Sequence, residues 1–197
     1  MHNTATVSRA TSFGSVARTL PGRIVLGLAA TVVVALAAHV SFPLPFTPVP
    51  FILTPLAVLG VGLALGPVAG FASLCAYLLE GAAGLPVFSP SGPGGVLQLM
   101  GPTGGYLLSY PLVAALAGGL TSVLRRSMPS FAAATAACSA AAAVLFLSGA
   151  TWMMHLLPAM SLHTVWIATV APFLPGEAIK VLAAAGTYST LTRKQRL

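Results

Sequence analysis

Between Ile24 and Leu124 the chain carries a single charged side chain, Glu80, and that scarcity of charge restricts its fold more than any motif does. A soluble domain must cover its surface with charge, which a stretch this apolar cannot do. Across the 197 residues 57% are hydrophobic and 6% are charged, so the excess needs lipid around it. The 20 Gly and 16 Pro agree, because both are commoner in membrane helices than in soluble ones. An all-α membrane protein of one domain is the expectation.

A formal net charge of +7 would suggest a nucleic-acid partner in a soluble chain, but the positions of the charges speak against one. Arg9, Arg18 and Arg23 precede the first apolar run, Arg125 and Arg126 follow the fourth, and Arg193, Lys194 and Arg196 close the chain. Threading six transmembrane helices puts all three clusters on one side, the positive-inside pattern of a multi-pass cell-membrane protein with both termini cytoplasmic. The expected division is an N-terminal tail over 1–22, a transmembrane domain over 23–191 and a basic C-terminus over 192–197. Ile24 to Val40 also has the character of a signal-peptide core, with Ala35-Leu36-Ala37 as a cleavage mimic. A first transmembrane helix is preferred, because its removal would strand the last basic cluster on the wrong side.

Along the chain, Ser41 to Pro55 holds Pro43, Pro45, Pro48, Pro50 and Pro55, so it must be extended or kinked. Its Phe42, Phe46 and Phe51 either roof a cavity or anchor at the interface. Phe51–Leu65 and Val68–Ala83 read as two short spans joined by Gly66-Pro67. About 16 residues cover only about 24 Å of a hydrocarbon core about 30 Å thick. Glu80, near the outer end of the second, is read as reaching interfacial water. Gly84 to Pro111 then contains a long, partly ordered outer loop between helices 3 and 4. Its Leu85, Val87, Phe88, Val96, Leu97, Leu99 and Met100 call for apolar cover, which suits a binding lid better than a slack linker.

The fourth span opens at Pro102 and sets Tyr106 and Tyr110 one turn apart, with Pro111 expected to kink it. The fifth, Phe131–Leu147, is Ala-rich, and the last runs over Val165–Tyr188. On the first helix Gly27, Thr31 and Ala35 form a narrow strip that another helix can approach, either within the bundle or from a partner. Cys75 and Cys138 read as packing residues rather than a disulfide or metal pair.

Glu177 and Lys180 are the strongest chemical signal. An ionisable group inside a membrane helix costs roughly 2.5 to 3.5 kcal/mol on insertion scales, and here two of opposite sign share a face three residues apart. They should point into the bundle, partly neutralise each other and stay available to a polar ligand; a structural ion pair is the alternative. Pro175-Gly176 just before them is expected to loosen the helix. No metal-ligand word, nucleophile elbow or Walker loop accompanies the pair, so an enzyme is not expected, and uphill transport would need an ATPase on another chain.

Four words complete the pattern: Phe42-Pro43-Leu44-Pro45-Phe46-Thr47-Pro48-Val49-Pro50, Gly81-Ala82-Ala83-Gly84-Leu85-Pro86-Val87-Phe88, Gly101-Pro102-Thr103-Gly104-Gly105-Tyr106-Leu107, and Phe173-Leu174-Pro175-Gly176-Glu177-x-x-Lys180. In this order, over about residues 24 to 190, they resemble the BioY family, the biotin-binding S components of energy-coupling-factor vitamin transporters. The resemblance implies six helices, biotin held on the outer side beneath the loops, no cofactor, and association with a transmembrane coupling subunit and two ATPase subunits; it also leaves room for a homo-oligomer. It implies ligand contacts from Glu177, Lys180, Thr103, Gly104, Gly105, Tyr106, Tyr110, Phe88, Ser89 and Ser91, and contact with the coupling subunit through Gly27, Thr31 and Ala35. Glu177 stands where the family usually has Asp, and Ser89-Pro90-Ser91 where a polar amide can occur. An S component for another small vitamin or precursor, and a structural or regulatory membrane subunit, are the alternatives.

Overall fold

The structure, a computed structural model, describes residues 19–45, 47 and 49–194. Arg9 and Arg18 of the tail, Phe46, Pro48 and Arg196 lie outside the described residues. Helix α1 spans Leu20–His39 and opens where Thr19 Oγ1 accepts the amide of Gly22 at 3.2 Å. The Pro-rich connection then closes into a small antiparallel ladder, β1 (Ser41–Phe42) on β2 (Phe51–Ile52), with Ser41 opposite Ile52. Next come α2 (Thr54–Ala82), a short α3 (Gly95–Met100), α4 (Gly104–Leu124) and α5 (Ser130–Leu156). The chain ends in α6 (Leu162–Thr169), a 3-10 turn (Ala171–Phe173) and α7 (Leu174–Lys194).

Among the described residues, 5 helical stretches are long and apolar enough to cross a membrane, the last counted across α6, the turn and α7. Leu20, Leu36, Val68, Leu79 and Ile179 are each between 67% and 81% exposed, a surface that only lipid can cover. The protein is therefore a mostly helical, multi-pass membrane protein.

One junction falls where it was expected, and one span differs from its expected form. The segments expected on either side of Gly66-Pro67 are both helical and meet at a break at Gly66, whose φ of 79° is open to glycine and strained for other residues. A Cβ placed on Gly70 would lie 3.3 Å from the Cα of Gly62. Residues eight apart in a straight helix stand about 12 Å apart, so the two halves of α2 fold back against each other. The last span, expected as continuous from Val165, is broken at Val170 (φ −124°, ψ −62°), just before Pro172 removes an amide donor. Pro175 and Gly176 occupy the first turn of α7, where proline is tolerated, so the break lies upstream of them. Pro111 sits inside α4, which continues through it as one helix.

Helix α4 is the hub, packed against both α2 and α5. A Cβ on Gly62 would stand 2.2 Å from the carbonyl oxygen of Ala114, and one on Gly118 2.3 Å from that of Gly62, so the two backbones touch. On its other side α4 meets the alanine face of α5, where Ala133, Ala134, Ala137, Cys138 and Ala141 are fully buried. Small side chains at both contacts bring the helices close enough for dispersion to replace the hydrophobic drive that lipid removes.

Candidate functional site

A cavity of about 620 Å³, its mouth included, opens where the ends of these helices meet the loops. Its apolar walls include Ala38 of α1, Leu107 of α4, Leu145 and Phe146 of α5, and Phe173 of the 3-10 turn. Val49, Pro50 and Ile52 of the first connection close one side, and Tyr77 of α2 and Tyr106 and Tyr110 of α4 supply aromatic surface.

Glu177 and Lys180 enter from the first turns of α7 and are 4% and 5% exposed, so both charges are withdrawn from solvent. Lys180 Nζ stands 3.2 Å from Glu177 Oε2, the one ion pair among the described residues. The ammonium also lies 4.5 Å from the ring centre of Phe51, a cation–π contact on a desolvated charge. Gly176 makes that contact possible, because a Cβ there would fall 2.4 Å from the Phe51 ring. Glu177 Oε1 is buried and has no hydrogen-bond partner. Its position in the first turn of α7 lets unpaired helix amides favour the negative charge, but Oε1 is still a buried acceptor without a donor, on a residue that lines the cavity.

Of the ligand residues expected from sequence, Glu177, Lys180, Thr103, Tyr106, Tyr110 and Ser89 line the cavity together. Tyr106 is oriented by its hydroxyl, which donates to the carbonyl of Thr169 at the break before α7. Gly104 and Gly105 lie behind the wall instead: a Cβ on Gly104 would meet the Leu99 carbonyl at 1.9 Å, and one on Gly105 would meet Trp152 Cβ at 2.3 Å. Both glycines let α4 start against α5, and the Trp152 indole donates to the Gly101 carbonyl at 2.9 Å. Phe88 is an anchor for the loop, packed on Gly81 and edge-on to Tyr77 with ring centres 5.4 Å apart. Ser91 is exposed and bonds Ser41 Oγ at 2.9 Å, joining the two loops rather than facing the cavity.

Loop cover is only partly as expected. Phe88 is buried and Val87 and Leu99 pack on the core, while Leu85, Val96, Leu97 and Met100 are more than half exposed and point away from it. In the first connection Phe42 is 60% exposed, so Val49 and Pro50 roof the cavity in its place. The Thr47 hydroxyl donates to the Ala168 carbonyl and ties that roof to α6.

Gln98 was not anticipated. It lines the cavity at 4% exposure, its Nε2 donates to the Ser89 carbonyl at 3.2 Å, and its Oε1 accepts the Gly94 amide at 3.1 Å. One amide side chain thus holds both limbs of the loop. The usable signal was its being the only amide in a Gly/Pro-rich stretch.

The strip on α1 faces inward. A Cβ on Gly27 would stand 3.3 Å from Ser73 Oγ, Ala35 packs on the core, and the buried Thr31 hydroxyl lies 2.9 Å from the Leu28 carbonyl and 3.1 Å from Glu80 Oε1. The second half of α2 lies against the strip without filling it, leaving Thr31 and Ala35 along a groove, and Glu80 is a half-buried acceptor rather than a side chain freely extended into water.

Residues 7–196 match the profile of the BioY family. The chain is 32% identical over 164 residues to the biotin transporter BioY of Rhodobacter capsulatus, covering 80% of this chain and 85% of that one. It is 31% identical over 140 residues to the probable biotin transporter BioY of Pyrococcus horikoshii, covering 70% and 76%. Its fold matches the crystal structure of the S-component for biotin from an ECF-type ABC transporter with a TM-score of 0.78, at 24% identity and over 87% of this chain and 90% of that one.

Proposed function

The chain belongs to the BioY family, and from that premise we propose that it binds biotin in the cavity beneath its loops and carries it across the membrane. The observation that carries the assignment of the site is the unpartnered Glu177 Oε1 beside a buried ammonium, in a cavity otherwise walled by aromatic and aliphatic groups. The ureido ring of biotin has two N–H donors and a carbonyl. Glu177 Oε1 accepts one N–H, and Lys180 donates to a ligand oxygen. The ring and chain rest on Tyr77, Tyr106, Tyr110 and Phe146, while Ser89 and Thr103 offer hydroxyls at the rim. Thr103 caps α4 without using its side chain, which leaves that hydroxyl uncommitted. Gly104, Gly105, Phe88 and Ser91 act one layer out, by placing the residues that touch.

The reading includes six passes with both termini cytoplasmic. Support comes from the reversal at Gly66, which makes two crossings of α2, and from Arg23, Arg125, Arg193 and Lys194, which then share one side. It also includes an energising module of separate chains, a transmembrane coupling subunit with two ATPase subunits; the solved relative in fold is the S-component of such a transporter. Gly27 and Thr31 touch Ser73 and Glu80 of α2 and Ala35 packs on the core, so their proposed role toward that subunit is to set the angle of α1.

Labelled biotin bound to the detergent-purified protein, together with uptake by cells expressing it, tests the assignment. Retention, thermal stabilisation and uptake are expected. A protein that biotin neither stabilises nor follows into cells would be a structural or regulatory subunit, and desthiobiotin outcompeting biotin would make the cargo a precursor.

A further inference from the structure

A second cavity lies beside the first on the same two helices. Where Ala38 of α1 and Tyr77 of α2 face the first cavity, His39 and Glu80 face a groove that opens sideways between α1 and the second half of α2, with about 530 Å³ of empty space including its mouth. Its walls are aliphatic, from Val32, Leu36 and Val87, and its polar groups are Thr31, His39 and Glu80.

Those groups leave acceptors and no charged donor. Glu80 Oε1 takes the Thr31 hydroxyl at 3.1 Å, and among the described residues no cationic nitrogen stands within 4.0 Å of the carboxylate. His39 Nδ1 lies 2.8 Å from the Ala35 carbonyl, which can only accept, so Nδ1 carries a proton, and in that neutral tautomer Nε2 is a lone pair. A carboxylate and an imidazole lone pair in one groove complement a primary ammonium, which has three N–H donors.

The groove also sets the depth of its occupant. His39 is the last residue of α1 and Glu80 is two residues from the end of α2, so both stand where the helices leave the apolar layer. Below them the walls run into lipid-facing surface, with Leu28 and Val32 52% and 57% exposed and Leu79 71% exposed. A polar recess at the helix ends above an aliphatic trough fits a molecule with an ammonium head and acyl chains. We propose that this groove binds the headgroup of an aminophospholipid, with the ammonium between Glu80 and His39 and a chain along α1. The site is independent of the biotin assignment.

The full chain, delipidated in detergent and titrated with dioleoyl phosphatidylethanolamine under native mass spectrometry, tests this. Phosphatidylcholine, whose head has no N–H, and phosphatidylglycerol, which has no amine, are the comparisons, and ethanolamine alone separates a soluble amine from a lipid. The expected result is retention of phosphatidylethanolamine about tenfold tighter than of the other two lipids, as for losing a hydrogen bond to a charged group. Ethanolamine alone should not compete at matched concentration. Glu80→Gln should abolish the preference, and His39→Phe, at an exposed position where folding is not at stake, should weaken it severalfold. Equal retention of phosphatidylethanolamine and phosphatidylcholine, a preference that survives in both variants, or full displacement by ethanolamine would each overturn the proposal.

Discussion

Lys180 is held from two sides, by Glu177 Oε2 and by the face of Phe51, whereas Glu177 has one oxygen committed and one free. This asymmetry supports the proposed ligand site over a structural pair, because a pair that served packing alone is expected to satisfy both oxygens. Lys180→Ala should weaken biotin binding about a hundredfold, through the lost donor and through the charge left alone on Glu177, as isothermal titration would show. Breaking a buried pair also costs about 3–5 kcal/mol of stability, so the paired change Glu177→Gln with Lys180→Met is the cleaner probe. It should recover most of the thermal midpoint lost by Lys180→Ala while binding stays weak; recovery of binding with it would assign the pair to packing. The pair was legible in sequence because two opposite charges in an apolar helix must turn away from lipid, toward each other and the bundle interior. Gln98 stood out only as the one amide in a Gly/Pro-rich stretch, and its role was not legible because its burial depends on where Ser89 and Gly94 return in space.

At the scale of elements, three devices hold the cavity open and covered. Gly66 reverses α2, the break at Val170 lets α7 begin at the cavity, and Gln98 pins the loop above it. Gly66→Val should cost about 1–3 kcal/mol through a β-branched residue forced to positive φ, read as a lowered thermal midpoint. Gln98→Ala leaves the Ser89 carbonyl and the Gly94 amide without their partner. Its expected effect is faster biotin release, about tenfold in a stopped-flow chase, with a smaller change in association. The glycine-proline word at Gly66 could be read from sequence as a junction of two helices. The break at Val170 could not be placed, because Pro172 and Pro175 lie three residues apart and only packing against Tyr106, whose hydroxyl takes the Thr169 carbonyl, decides which of them ends a helix.

For the whole molecule the proposed six passes make a spatial prediction. In a background with Cys75 and Cys138 replaced by Ala, a cysteine at Ser91 should react with a membrane-impermeant maleimide from outside intact cells, and one at Ser127 only after permeabilisation. The reverse pattern, Ser127 labelled from outside and Ser91 only after permeabilisation, would overturn the six passes, and labelling of both from one side would mean that α4 does not cross. Both positions are exposed, so absence of access would reflect the membrane and not the fold.

Sequence alone determined that the chain lives in lipid and that Glu177 and Lys180 share one face, because charge scarcity and helical period are properties of neighbours along the chain. Tertiary structure decided which glycines stand behind the cavity wall, that Thr31 meets Glu80, that Gln98 faces inward and that Glu177 retains a free oxygen. Each of these depends on side chains brought together by helix packing, where a shift of a few ångströms separates a ligand contact from a packing contact, and no local pattern encodes that distance.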